Sequence, residues 1–312
     1  MALPFSPQAV RHDVSVASKT FFVGEYAALQ GGPSLIAATK PRFFAVFDRS
    51  ASTKALSAFH PESPAGRFWR SVGLCGWSTD WQDPHFGSGG FGASTAQFAA
   101  ALALNDCANG ESRLVKCRAW TTILQMYREC AWSGVGLAPS GADLVAQIEG
   151  RLCAFDGLNN SATSSDWPFT DLDFALIRTG TKLATHDHLQ GRAAALAPID
   201  QLRDMARAAI TALDAQDKFS FCAAIEAYGS TLAASGLVAE RTQIILASVR
   251  AALGSDLLAA KGCGAMGADV ILLIFAKDAN ARIDRYLAAQ GLARVASSQD
   301  LTQGILFDAE AL

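Results

Sequence analysis

The sequence predicts an α+β protein built from two domains. The chain has 312 residues and 32.8 kDa, about twice the size of a typical domain. Its opening segment alternates apolar, β-prone stretches with turns, which favours an antiparallel start. Its second half instead interleaves strands with long helical patterns. With 50% hydrophobic and 18% charged residues, the chain can fill sizeable cores and is not a disordered composition.

Taken in order, Val14 to Ala28 is a β-prone stretch interrupted by Lys19 and by Gly24-Glu25-Tyr26. The turn Gly31-Gly32-Pro33 leads to two further apolar stretches, Ser34 to Ala38 and Arg42 to Phe47. His85 to Ala93 is glycine-rich, and Ser94 to Leu104 reads as an Ala-rich helix whose start wants the hydroxyl of Ser94 or Thr95. A second helix is expected over Arg113 to Trp132, then a loop from Ser133 to Asp143 and a short helix towards Glu149. Asn159 to Pro168 reads as a surface linker or hairpin tip. Beyond it come a strand, Asp173 to Thr179, and three helical patterns between Ile199 and Leu253. A glycine turn, Gly262 to Gly267, precedes the strand Val270 to Phe275. The helix Ala279 to Ala289 and a closing strand, Gly304 to Phe307, complete the pattern.

Composition narrows the function. The 26 basic and 29 acidic residues give a net charge of -3, which argues against nucleic acid or an anionic membrane as the main partner. The seven cysteines, at 75, 107, 117, 130, 153, 222 and 263, form no CxxC pair, so reduced thiols in a cytoplasmic protein are expected. No signal peptide is visible, and the longest apolar run, Asp269 to Ala276, is far too short to span a bilayer. The expected partner is a small-molecule substrate.

Two glycine loops carry the chemistry. Gly87-Ser-Gly89-Gly90-Phe-Gly92 matches GxGxxG, but a dinucleotide site needs a buried strand before it and an acid about twenty positions on. Here Pro84 breaks a polar lead-in and the nearest downstream acid is Asp106, so that reading is disfavoured. The loop can instead offer bare N–H groups and a helix dipole to a phosphate, or be a plain turn with a capped helix. The second loop, Lys261 to Asp269, lies on the other half of the chain. Both could close on one ligand in a cleft between domains.

With Lys19 to Tyr26 added, the three elements fall in an order that resembles the GHMP kinases, the family of galactokinase, homoserine kinase, mevalonate kinase and phosphomevalonate kinase. The family's lysine strand running into G-E-[HY]-A corresponds to Lys19 and Gly24-Glu25-Tyr26-Ala27. Its G-L-G-S-S-A corresponds to Gly90-Phe-Gly92-Ala93-Ser94-Thr95-Ala96. Its P-S-G-x-D corresponds to Pro139-Ser140-Gly141-Ala142-Asp143, and its third glycine motif to Lys261 through Asp269. Met266 and Ala268 replace two glycines of that third motif, which is expected to narrow the loop, and Ala93 replaces a serine.

The resemblance implies an N-terminal domain like ribosomal protein S5 domain 2 over 1–170 and a ferredoxin-like C-terminal domain over 171–312. It implies ATP and Mg2+ as cofactors and leaves a homodimer open. Gly89, Gly90, Gly92, Ala93, Ser94 and Thr95 would hold the nucleotide phosphates, with Ser94 and Glu129 on Mg2+. Asp143 would act on the acceptor hydroxyl, and Lys19 would favour its ionised form and stabilise the transferring charge. Glu25, Tyr26, Ser140, Gly141, Lys182, Thr185, Gly264 and Ala265 would line the substrate. Tyr26, Asp269 and the stretch Thr179 to His188 resemble the phosphomevalonate kinase branch of the mevalonate pathway to isoprenoids. Mevalonate kinase or another sugar or amino-acid kinase of the family is the alternative. A catalytically silent nucleotide-binding relative is the alternative of another class.

Overall fold

The structure, a computed structural model, describes residues 10–49, 57–110, 118–180 and 198–307. Strands β1 (Arg11–Val23) and β2 (Pro33–Arg49) pair antiparallel, with Lys19 opposite Ala38 and Phe21 opposite Ile36. The two apolar stretches read separately from the sequence are one strand of 17 residues. Pairing of Ser18 with Thr39 keeps the chain extended between them. That length serves two partners on the other edge. The end of β2 pairs with β3 (Trp77–Gln82), and its beginning pairs with β4 (Leu152–Asp156). The exposed strand β5 (Ser161–Ser165) forms the sheet edge beside β4. The expected linker is thus largely a strand, and the hairpin tip is confined to the turn after Asp156. There Asp156 accepts hydrogen bonds from the Leu158 and Asn159 backbones.

Helices α1 (Pro64–Ser71), α2 (Ala93–Ala108), α3 (Trp120–Ala131) and α4 (Ala142–Glu149) accompany this sheet, with α2 and α4 packed on β1. Small side chains let α2 lie close: Ala96 and the run from Phe98 to Leu104 are buried all round the helix.

The second sheet contains β6 (Leu172–Arg178), β7 (Leu257–Cys263), β8 (Val270–Ala276) and β9 (Arg294–Ser297), in the antiparallel order β7-β8-β6-β9. Helices α5 (Ile199–Asp214), α6 (Lys218–Ala234) and α7 (Glu240–Leu253) connect β6 to β7, and α8 (Asn280–Ala289) connects β8 to β9. Strand and helix order, with β6 between β8 and β9, gives the ferredoxin-like arrangement that the family resemblance implies, with β7 and β9 added to the strands read from the sequence.

Alternation along β6 divides the packing. Ala175 and Ile177 join Val249, Leu253, Ile283 and Leu287 in a core beneath α7 and α8. Phe174 and Leu176 face the main core, where α5 packs on β2 and α6 on both β1 and β7. An aromatic joint ties the halves: Phe22 of β1 meets Phe174 edge-on at 5.1 Å, and Trp167 packs on both Phe174 and Phe221. Among the described residues no helix is long and apolar enough to cross a membrane.

The closing strand β10 (Leu306–Phe307) leaves the second half and pairs with β1, Val14 opposite Phe307. Buried Arg42 holds this return. Its guanidinium donates to the carbonyls of Ser15, Gln303 and Gly304, and to the Ser15 hydroxyl. Burial lowers its pKa to about 10, still far above neutrality, so it stays charged. Arg42→Met should leave those carbonyls unpaired and cost about 2–4 kcal/mol, read as a lower urea midpoint with near-normal secondary structure.

Candidate active site

Lys19 sits in the middle of β1, only 8% exposed, where its strand passes beneath the glycine loop. Its peptide N–H donates to the Phe91 carbonyl at 3.0 Å. The loop can approach this closely because Gly92 has no side chain: a Cβ there would lie 2.8 Å from the Lys19 Cγ. Gly92 also has φ +84°, and it is the N-cap of α2. The helix therefore starts one residue earlier than the sequence suggests, with no hydroxyl cap. Thr95 is turned inward and donates to Gln147 Oε1 at 2.6 Å, while Gln147 donates to the carbonyls of Ala17 and Gly92. Ser94 remains exposed. The peptide N–H groups of Ala93, Ser94 and Thr95 precede the first intrahelical bond, Ala96 N–H to Gly92 O, and form the positive end of α2.

A second helix start faces the first. Gly141, at φ +74°, is the N-cap of α4 and packs against Leu124. Arg128 pins the preceding loop by donating to the Pro139 and Ser140 carbonyls, each at 3.2 Å. Asp143 lies in the first turn of α4, where it accepts from the Leu144 N–H, and its Oδ2 is 3.9 Å from Lys19 Nζ.

These groups open on one cavity of about 530 Å3. Lys19, Glu25, Tyr26, Ser140, Gly141, Asp143 and Gly264 all line it, as do Gly89, Gly90, Gly92, Ala93, Ser94 and Thr95. Ala265 belongs to the turn Ala265–Gly267 next to Gly264. Lys182 and Thr185 lie outside the described residues.

Glu129 does not join the cavity. Helix α3 buries Ile123, Leu124, Tyr127 and Cys130, so Glu129 falls on its exposed side and accepts from Gln125 Nε2 at 3.0 Å. The residues of α3 on the cavity wall are Tyr127 and Ala131, and the Tyr127 phenol is kept protonated by burial and by the Asp143 charge. That 123–127–130 spacing in the sequence already placed Glu129 outward. Among the described residues no group of three His, Cys, Asp or Glu side chains is placed to hold a metal ion.

The third glycine loop completes the wall. The Asp269 side chain lies against Gly89: a Cβ at Gly89 would sit 2.3 Å from Asp269 Oδ1. Met266 adopts φ +54°, the left-handed conformation of the glycine it replaces. Its side chain packs on the main core, and Ala268 is fully buried, so neither residue is on the cavity wall. The expected narrowing of this loop is therefore not found on the wall.

Solved structures share this fold. A galactokinase from Lactococcus lactis, complexed with galactose, superposes with a TM-score of 0.74 at 11% identity, over 95% of this chain and 95% of that one. A phosphomevalonate kinase from Streptococcus pneumoniae, complexed with phosphomevalonate and AMPPNP, gives 0.70 at 14% identity, over 91% and 98%. A mevalonate kinase from Methanococcus jannaschii gives 0.69 at 12% identity, over 96% and 98%. Neither a protein-family profile nor a curated protein sequence matches the chain. The fold is thus the two-domain α+β fold of the GHMP kinases.

A buried histidine, which no motif in the sequence marks, supports the glycine loop from below. His85 is buried and stacks on Phe91 with ring centroids 3.9 Å apart. Arg178 of β6 approaches His85 Nδ1 at 3.3 Å, and Ser18 Oγ lies 2.6 Å from Nε2. Because a guanidinium only donates, Nδ1 accepts and Nε2 carries the proton to Ser18. Burial lowers the His85 pKa to about 4, with Arg178 adding to it and Asp83 opposing. The folded value is thus below the unfolded one, so this contribution to stability is full above about pH 6.5 and declines as pH falls towards 4. Between pH 7.5 and 5 the loss should be about 2 kcal/mol. Urea unfolding of the wild type and of His85→Gln checks this, the variant showing a shallower pH dependence.

Proposed function

We propose that the chain is an ATP-dependent small-molecule kinase of the GHMP family. The observation that carries the reading is the pair Lys19 Nζ–Asp143 Oδ2 at 3.9 Å, set between two helix N-termini on one cavity wall. A lysine and a carboxylate so placed fit phosphoryl transfer, which needs charge stabilisation and a positioned acceptor more than covalent chemistry.

The residues present fit a nucleoside triphosphate. The N–H groups at 93–95 lack intrahelical acceptors, and the glycines at 89, 90 and 92 leave the backbone open to a phosphate. Ser94, exposed at the same helix start, is the residue that would hold Mg2+. Bound MgATP would supply the phosphoryl group with its charge partly neutralised. Asp143 orients the attacking oxygen of the acceptor and, for a hydroxyl acceptor, takes its proton at Oδ2; a phosphate acceptor attacks through an oxygen that is already ionised. Lys19 faces the same space and stabilises negative charge as it develops. The course of Met266 and Ala268, away from the wall, supports an active enzyme over a silent nucleotide binder.

For the acceptor we favour phosphomevalonate over mevalonate, on Tyr26, Asp269 and the segment from Thr179, with Lys182 and Thr185 as its contacts. The likeness to the phosphomevalonate kinase is in keeping with this, although galactokinase shares the fold equally well. With that acceptor the chain would act in isoprenoid synthesis by the mevalonate pathway, as a cytoplasmic enzyme.

Asp143→Asn should lower kcat by roughly 10²–10⁴-fold with MgATP affinity little changed. Near-normal turnover would return Asp143 to a loop-structuring role. ADP release measured with mevalonate, phosphomevalonate, galactose and homoserine should be fastest with phosphomevalonate. A preference for galactose or homoserine would move the acceptor and keep the kinase. No release from any of them, together with no MgATP binding, would overturn the kinase reading.

A further inference from the structure

Glu25 and Lys261 form an ion pair shut off from solvent, their side chains 5% and 0% exposed. Glu25 follows β1 and Lys261 lies in β7, so the pair joins the two halves of the molecule. Burying such a pair gains little stability, because the desolvation of both charges offsets their attraction. Its geometry points to another role. Lys261 Nζ donates to Glu25 Oε1, whereas Oε2 is buried with no hydrogen-bond partner among the described residues. Glu25 itself lines the cavity. A buried carboxylate oxygen left unpaired is costly, and a donor arriving in the cavity removes that cost.

Lys261 is tightly held. Helix α6 crosses its stem at Gly229, where a Cβ would sit 2.7 Å from the Lys261 Cβ. The ammonium has Cys263 Sγ at 3.5 Å and the Tyr228 ring at 5.6 Å. Tyr26, which accepts from the Met266 N–H, and Lys19 are the titratable groups facing Glu25 from the first half. Burial pushes the Glu25 carboxyl above its usual range, and the Lys261 charge and hydrogen bond pull it back.

Resting on the kinase reading, we propose that Lys261 is a positioning residue for the acceptor. It fixes Glu25 through Oε1 so that Oε2 receives a hydrogen bond from a second donor of the acceptor, a hydroxyl or ammonium besides the group that is phosphorylated. Acceptors that place an acidic group at this point are rejected.

Calorimetric binding of MgADP, and of galactose, homoserine, mevalonate and phosphomevalonate, tests this on the full chain. The proteins compared are the wild type, Glu25→Gln, Lys261→Met and the double variant. In Glu25→Gln the amide oxygen takes the Lys261 side and the NH₂ turns to the cavity, presenting a donor where the acceptor needs an oxygen. Each single change should weaken the compound that the wild type binds by roughly 10–100-fold, the range for a charge-assisted hydrogen bond. MgADP affinity should stay within about twofold, and the double variant should be no weaker than the worse single, since both act through one oxygen. The double variant buries no lone charge and is expected to fold even where Lys261→Met does not.

Unchanged acceptor binding in Glu25→Gln, additive losses, or an equal loss of MgADP would overturn the proposal. So would a wild type that binds none of the four compounds. A wild type that binds an acceptor but no MgADP overturns the kinase reading instead and leaves Lys261 in its role.

Discussion

The site depends on one close approach, that of the glycine loop to β1 at Lys19. The Lys19 N–H to Phe91 O bond fixes the distance, and Gly92 makes it attainable by having no Cβ. The inward turn of Thr95 onto Gln147 anchors the first turn of α2, and Gln147 in α4 carries the constraint on to Asp143's helix. A lysine in a strand buried on both faces is tolerated because its ammonium emerges at the cavity rather than in the core. The same contact places two helix N-termini around one ammonium, a concentration of positive potential that a loop elsewhere on the sheet would not create.

Much of this was legible in the sequence because backbone requirements leave residue types behind. Glycines at 89, 90, 92 and 141 mark positions where a side chain would collide or where φ is positive, and Lys19 and Asp143 stand out as charges in apolar surroundings. Two strands of the second sheet, β6 and β8, were readable from their apolar runs, whereas β7 and β9 were not, and the four-stranded arrangement was implied only by the family resemblance. Long-range pairing was not readable. Nothing local announces that Leu306–Phe307 returns to β1, or that one strand of 17 residues carries β3 and β4 in tandem. Strand β3 (WSTDWQ) is mostly polar because only part of one face is covered, so periodicity gave it no signal.

Side-chain roles were misread for a related reason. Thr95 and Ser94 are adjacent hydroxyls at a helix start, and only the packing of α2 on α4 turns one inward and leaves the other exposed. Glu25, expected to line the substrate, does line the cavity, but its ion pair was not readable because the counter-charge arrives from a strand 236 positions away in sequence. Glu129 was the converse. Its chemistry suited a metal, but the apolar spacing of α3 had already assigned it to the outer face.

The two ends of the cavity are built by different parts of the chain, and this separates what the fold settles from what it leaves to side chains. The end of the cavity around Lys19 is built by the first half: β1, the loop before α2 and the start of α4. Glycines and the exposed start of α2 make up much of it. The other end is formed where the halves meet. There Tyr26 accepts from Met266, Glu25 binds Lys261, and Asp269 lies against Gly89. Each of these contacts joins a side chain of one half to the other half, so a substitution on either side can reshape that end, and the Asp269 contact carries such a change to the glycine loop at Gly89. On the kinase proposal, choice of acceptor would be set where the halves meet, and the groups proposed to act on the phosphoryl group, Lys19 and Asp143, both lie in the first half.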